Sequence, residues 1–240
     1  MGNVVQRVLT NLFADLPFAN VYIDDITIST SPPLSYHAEC VAEVIRRLTK
    51  ANLVLNPDKI VLAQRHIHIL GWTIVSNGGL IPDPRKISNV HNWPIPTTGK
   101  MIQRYLGFAD YFRNSIPLFS DICAPLDSLR NEKSFVGIWN AQHERAFFNI
   151  QKALSAAPVL SPPDLSYEFH VATDASNTGI GGILYQVIDN KIRYIGMASR
   201  KLSKSECNYS TTKRELLAIV YMFQKFHKWL YGIPFTLYTD

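Results

Sequence analysis

Apolar residues recur along this chain with two different periods, and the changes of period divide it into three stretches. Val21 to Ile23 and Ile26 to Ser29 are short β runs on either side of Asp24-Asp25. From Tyr36 to Asn52, residues Ala38, Val41, Ala42, Ile45 and Leu48 fall at helical spacing, with Asn52 as a natural stop. Leu53 to Leu55, Ile67 to Leu70 and Trp72 to Val75 read as strands, and Asn77-Gly78-Gly79 predicts a turn between Ile74 and Leu80. The next stretch, Asp83 to Ala157, is helical. Met101, Tyr105, Phe108 and Phe112 share one helix face, Pro94, Pro96, Pro117 and Pro125 cut the stretch into short pieces, and a helix from about Asn140 carries Ala146, Phe147, Ile150 and Leu154. Pro158, Pro162 and Pro163 mark a linker. Beyond it Tyr167 to Thr173, Ile180 to Val187 and Lys191 to Ala198 predict a three-stranded meander with Asp189-Asn190 as a turn. A helix follows over Thr211 to Tyr231 with Leu216, Ile219, Val220, Phe223 and Leu230 as its apolar face; Pro234 breaks it, and Phe235 to Thr239 is a fourth strand. The pattern predicts an α+β chain with segments 1–82, 83–163 and 164–240.

Composition excludes several classes. Of 240 residues, 47% are hydrophobic and 18% charged, enough apolar surface to build a core and too little charge for a disordered chain. There is no apolar run long enough to span a bilayer, and Met1 to Phe13 lacks the apolar core of a signal peptide. Cys40, Cys123 and Cys207 are far apart with no CxxC pair, so neither a disulfide framework nor a zinc site is expected, and a reducing, intracellular setting fits. A net charge of +5 is compatible with a nucleic-acid partner. His66, His68 and His91 have no metal-ligand spacing and read as surface or packing residues.

The chemistry lies in acids. Two adjacent carboxylates at the apex of a hairpin can hold a hard cation such as Mg²⁺, and two metals about 4 Å apart activate and stabilise the oxygens of a phosphoryl transfer. Asp is also a common turn residue, so Asp24-Asp25 alone is weak. Its frame is not. Phe18-Ala19-Asn20-Val21-Tyr22-Ile23-Asp24-Asp25-Ile26-Thr27-Ile28 resembles the YxDD box of a reverse transcriptase palm. Further matches follow in order: Leu53-Val54-Leu55-Asn56-Pro57-Asp58-Lys59, Ile69-Leu70-Gly71-Trp72, Trp93-Pro94-Ile95-Pro96, Arg104-Tyr105-Leu106-Gly107-Phe108-Ala109-Asp110-Tyr111-Phe112-Arg113, and Ala124-Pro125-Leu126. Together they resemble the Pol polyprotein of gypsy-type LTR retrotransposons over nearly the whole chain. The third stretch adds Asp174 at a strand end, Glu215 on the helix and Asp240 after the fourth strand. If the first and fourth strands are parallel neighbours with the helix across them, the three acids converge at one end of the sheet. That order resembles an RNase H domain, and Arg200-Lys201-Leu202-Ser203 and Asn208-Tyr209-Ser210-Thr211-Thr212 match the gypsy-type version.

The resemblance implies a partial palm over 1–82, thumb and connection over 83–163 and an incomplete RNase H-like fold over 164–240. It implies catalytic and metal-binding roles for Asp24, Asp25, Asp174, Glu215 and Asp240, with Mg²⁺ or Mn²⁺ as cofactor. RNA template, DNA primer and RNA–DNA hybrid are the implied partners. Trp72 sits where the family turns towards its primer grip, and Arg200, Lys201 and Lys204 are candidates for phosphate contacts. The family's upstream palm Asp has no counterpart, since Asp15 stands in the wrong context, and its fourth nuclease carboxylate has none either. The expectation is therefore a fragment truncated at both ends, weak or inactive as a polymerase, completed by missing Pol segments or a dimer. The alternative is a non-catalytic nucleic-acid-binding remnant.

Overall fold

The computed structural model describes residues 2–75 and 78–240. It divides into two compact units, Met1–Leu62 and Ala63–Asp240.

In the first unit, helices α1 (Gly2–Leu12) and α2 (Leu34–Lys50) pack on an antiparallel hairpin, β1 (Ala19–Tyr22) and β2 (Asp25–Ile28). Helix α1, with Val5, Val8, Leu9 and Leu12 at helical spacing, buries only a narrow stripe: Leu9, and Phe13 just beyond its end, meet Val44 and Leu48 of α2 in a small core. Tyr22 pairs with Asp25, so Ile23-Asp24 is the two-residue turn, with Ile23 at φ 52°. Helix α2 ends as expected: Asn52 turns left-handed at φ 55° and the Leu53 N–H bonds the Leu48 carbonyl at 2.9 Å. The strand expected at Leu53–Leu55 does not form. Val54 is 96% exposed, and the segment runs instead into a 3₁₀ turn at Pro57–Lys59 capped by the Asn56 side chain. A run of three apolar residues is too short to separate a strand from a partly buried loop.

The second unit opens with a small meander, β3 (Ile67–Ile69), β4 (Trp72–Ile74) and β5 (Leu80–Pro82). Of the predicted turn between the last two, Asn77 lies outside the described residues, while Gly78 is left-handed at φ 76°. Helices α3 (Pro84–His91), α4 (Gly99–Asp110), α5 (Phe119–Asp127) and α6 (Ala141–Ser155) follow. Their shared core centres on Ile102, Tyr105, Leu106, Phe112, Phe147, Ile150 and Leu154. On α4 the buried seam is Ile102, Tyr105, Leu106 and Ala109; Met101 and Phe108, expected at its centre, lie on the flanks. On α6 the expected face is buried throughout. Trp72 packs edge-on to Phe112, ring centres 5.1 Å apart, which seats the meander on the helices. The break in packing therefore falls after Leu62, ahead of the segment boundary expected at Pro82.

The proline linker is stitched down rather than free. Leu160 bridges Leu80 on one side and Tyr194 on the other. The last sheet contains β6 (Phe169–Ala175), β7 (Gly179–Ile188), β8 (Lys191–Lys201) and β9 (Phe235–Tyr238), in the order β8-β7-β6-β9. Asp189 and Asn190 are both left-handed, φ 53° and 56°, the geometry that matches the twist of a two-residue hairpin. Helix α7 (Thr211–Lys225) lies across β6 and β7, and β9 returns parallel to β6. The single helix expected to Tyr231 breaks at Phe226, and a short α8 (His227–Leu230) follows. The buried line of α7 is Ala218 and Met222; Leu216 and Val220, expected inside, are 56% and 50% exposed. Met222 fits because β7 has glycine beneath it: a Cβ on Gly182 would lie 2.3 Å from the Ala172 carbonyl oxygen and 3.0 Å from Met222 Cγ. No described helix is long and apolar enough to cross a membrane.

Candidate functional site

The parallel pairing of β6 with β9 brings acids to one end of the last sheet. Ala172 is in register with Tyr238, so two residues further on Asp174, still paired with Gly181 within β6, and Asp240, just past β9, lie at the same end of the sheet. Helix α7 starts at that end with Ser210 as N-cap, its hydroxyl accepting from the Lys213 N–H, which puts Glu215 in the first turns. Burial, and then the negative charges of Asp174 and Asp240, push the Glu215 carboxyl above its ordinary range; Arg214 pulls weakly the other way. Glu215 Oε2 is buried and has no hydrogen-bond partner among the described residues. A buried carboxylate oxygen without a donor, repelled by two nearby acids, is an arrangement that a divalent cation relieves, and oxygen donors of this kind suit Mg²⁺ or Mn²⁺. Among the described residues no three His, Cys, Asp or Glu side chains are already closed into a metal-holding geometry. The donors thus fit the ion chemically, and side-chain adjustment would have to complete the shell.

The other pair is built differently. Asp24 is in the β1–β2 turn and Asp25 opens β2; both are exposed. Gln6, a residue not singled out from the sequence, holds this hairpin tip from α1. Its amide nitrogen donates to the Val21 carbonyl at 3.1 Å, and its amide oxygen accepts the Ile23 N–H. No periodicity signals such a contact. Asp15 is committed elsewhere: Arg47 binds it at 2.7 Å and draws its carboxyl down to about 2. No third carboxylate joins Asp24 and Asp25 among the described residues.

The candidate nucleic-acid residues separate into two kinds. Trp72 is half-buried against Phe112 and Tyr111 and serves the core. Arg200 is held by Glu206 at 2.8 Å and lies 5.4 Å over the Tyr221 ring. Lys201 and Lys204 are exposed, with no ion pair among the described residues. His66, His68 and His91 are exposed surface residues: His68 Nδ1 meets Thr73 Oγ1 at 2.8 Å, and His91 Nε2 meets Ser155 Oγ at 2.8 Å.

Comparison with known proteins finds matches at both ends of the chain. The family model described as "Reverse transcriptase (RNA-dependent DNA polymerase)" matches residues 2–74, and "RNase H-like domain found in reverse transcriptase" matches residues 139–237. The "Retrovirus-related Pol polyprotein from transposon 297" of Drosophila melanogaster is 34% identical over 98% of this chain, and the "Transposon Tf2-3 polyprotein" of Schizosaccharomyces pombe is 33% identical over 91%. The chain spans 22% and 16% of the lengths of those two proteins. Among solved structures, the foamy viral protease-reverse transcriptase in complex with an RNA/DNA hybrid superposes with a TM-score of 0.80 at 25% identity, covering 96% of this chain and 31% of that one. The foamy viral protease-reverse transcriptase in complex with dsDNA gives 0.83 at 24% identity, covering 98% of this chain and 49% of that one. The chain thus carries a reverse transcriptase segment at 2–74 and an RNase H-like segment at 139–237, and over most of its length it is similar to retrovirus-related Pol polyproteins of transposons.

Proposed function

We propose that this chain is part of an RNA-directed DNA polymerase with RNase H, acting on RNA template, DNA primer and RNA–DNA hybrid by two-metal phosphoryl transfer. Residues 1–82 serve as palm, 83–163 as thumb and connection, and 164–240 as the nuclease portion. Asp174, Glu215 and Asp240 hold Mg²⁺ or Mn²⁺, which supplies charge stabilisation and an activated water at the scissile phosphate. Asp24 and Asp25 are two of the polymerase ligands. Lys201 and Lys204 meet the phosphate backbone, Arg200 shapes the loop that carries them, and Trp72 supports the primer side from within the core. The free thiols of Cys40, Cys123 and Cys207 support an intracellular setting.

The observation that carries this reading is the repelled Glu215 carboxylate, its buried Oε2 without a partner among the described residues, at the sheet end shared by Asp174 and Asp240. Incubating the chain with a labelled RNA–DNA hybrid tests it. The RNA strand is expected to be cut only when Mg²⁺ or Mn²⁺ is present, and Asp174→Asn abolishes the cut. Cleavage that survives Asp174→Asn would refute the assignment.

A further inference from the structure

Asp174 is followed by a tight turn, Ser176 to Gly179, that leads into β7. The turn is locked internally: Ser176 Oγ accepts the Thr178 N–H at 3.1 Å and the Gly179 N–H at 2.8 Å, and the Ser176 N–H donates to the Gly179 carbonyl at 2.8 Å. It is also held from two sides. From α5, Asp121 Oδ1 reaches Thr178 Oγ1 at 3.5 Å, and a Cβ on Gly179 would lie only 2.2 Å from that oxygen. From α7, Arg214 Nη1 donates to the Ser176 carbonyl at 3.1 Å and to Asn177 Oδ1. Arg214 immediately precedes Glu215. A guanidinium presents donors in a rigid fork, so this contact fixes direction as well as distance.

We propose that Arg214 is a positioning residue of the three-carboxylate site: it fastens the turn after Asp174 to the helical turn that carries Glu215, so the two acids meet a cation already set at their working separation. The inference rests on the reading of Asp174, Glu215 and Asp240 as metal ligands. Groups that orient ligands from behind commonly contribute 10- to 100-fold to metal affinity. Arg214 does this through backbone and amide contacts, without touching substrate.

The test uses the full chain, with Mn²⁺ as probe, and compares wild type with Arg214→Ala, Arg214→Lys, Lys213→Ala and Asp174→Asn. Mn²⁺ affinity is measured by calorimetry, and amide exchange of Thr178 and Gly179 is followed without metal. Arg214→Ala is expected to weaken Mn²⁺ about 10-fold or more and to speed exchange of both amides, with Arg214→Lys recovering part of each. Lys213→Ala removes the same charge one residue away, outside the clasp, and should stay within about 2-fold of wild type. Equal losses in Arg214→Ala and Lys213→Ala, or unchanged affinity and exchange in Arg214→Ala, would overturn the proposal. Should Arg214→Ala fail to fold, Arg214→Lys decides: affinity and exchange both equal to wild type would overturn it. If wild type and Asp174→Asn bind Mn²⁺ equally, the metal-site reading itself fails, and this inference with it.

Discussion

Arg200 and Arg214 do different work, and the difference is set by their partners. Arg200 spends its fork on Glu206, whose carboxyl it and the Ser203 N–H draw down to about 2. A carboxyl depressed in the folded state stabilises the fold above its ordinary pKa, here 4.5, and loses that contribution as pH falls towards about 2. Thermal melts between about pH 5 and pH 3 should therefore show a shallower acid loss for Glu206→Gln than for wild type; parallel curves would contradict the pairing. The same geometry separates the basic residues by function. Lys201→Ala and Lys204→Ala should each weaken hybrid binding across sequences and lower the salt slope by about 1, because each removes one phosphate neutralisation. Arg200→Ala should lower the melting temperature first. From the amino-acid order alone Asp174, Glu215 and Asp240 read as one group, since strand, helix and strand impose their sequence, and Asp24-Asp25 read as a separate hairpin pair. That Arg200 is consumed by Glu206, or that Gln6 pins the tip of the Asp24-Asp25 hairpin, was not legible, because such contacts depend on side-chain reach across elements and leave no period.

At the scale of elements, small residues decide whether α7 can lie where Glu215 is needed. Gly182 faces Met222 and the Ala172 carbonyl with no room for a methyl group, whereas Gly107 on the outer face of α4 has nothing within 4 Å of such a group. Gly182→Ala should cost about 1–3 kcal/mol by overpacking. Gly107→Ala should leave stability unchanged or raise it by about 0.5–1 kcal/mol, since alanine loses less backbone entropy in a helix. Denaturant melts of the two variants check the contrast, and similar losses in both would contradict it. The order of strands was readable because an Asp-Asn turn forces a hairpin and a helix between strands forces a crossover. The inward faces of α4 and α7 were read slightly rotated: Phe108, Leu216 and Val220 are large and apolar, yet the geometry buries the smaller Ala109 and Ala218. Helix α1 was legible in the spacing of Val5, Val8, Leu9 and Leu12, although Val4, Val5 and Val8 stay partly exposed in the fold.

At the scale of the molecule, each compact unit has its own hydrophobic core, and Trp72, Trp93, Trp139 and Trp229 all belong to the second. Tryptophan fluorescence therefore follows residues 63–240 alone, while circular dichroism follows the helices of both units. The two melting curves should not coincide; a single shared transition would show that the units unfold as one. The fluorescence signal also gives direct access to the claim at the centre of this account, that Asp174, Glu215 and Asp240 form a cation site. The decisive measurement is the fluorescence melting temperature of wild type and Glu215→Gln, each with and without saturating Mn²⁺. Without metal, Glu215→Gln should melt above wild type, because it removes a buried carboxylate held against two like charges. Mn²⁺ at about 100 times its dissociation constant should raise the wild type by about 5 °C or more and leave the variant nearly unmoved. Equal Mn²⁺ shifts in the two proteins, or a variant that melts below wild type without metal, would contradict the claim.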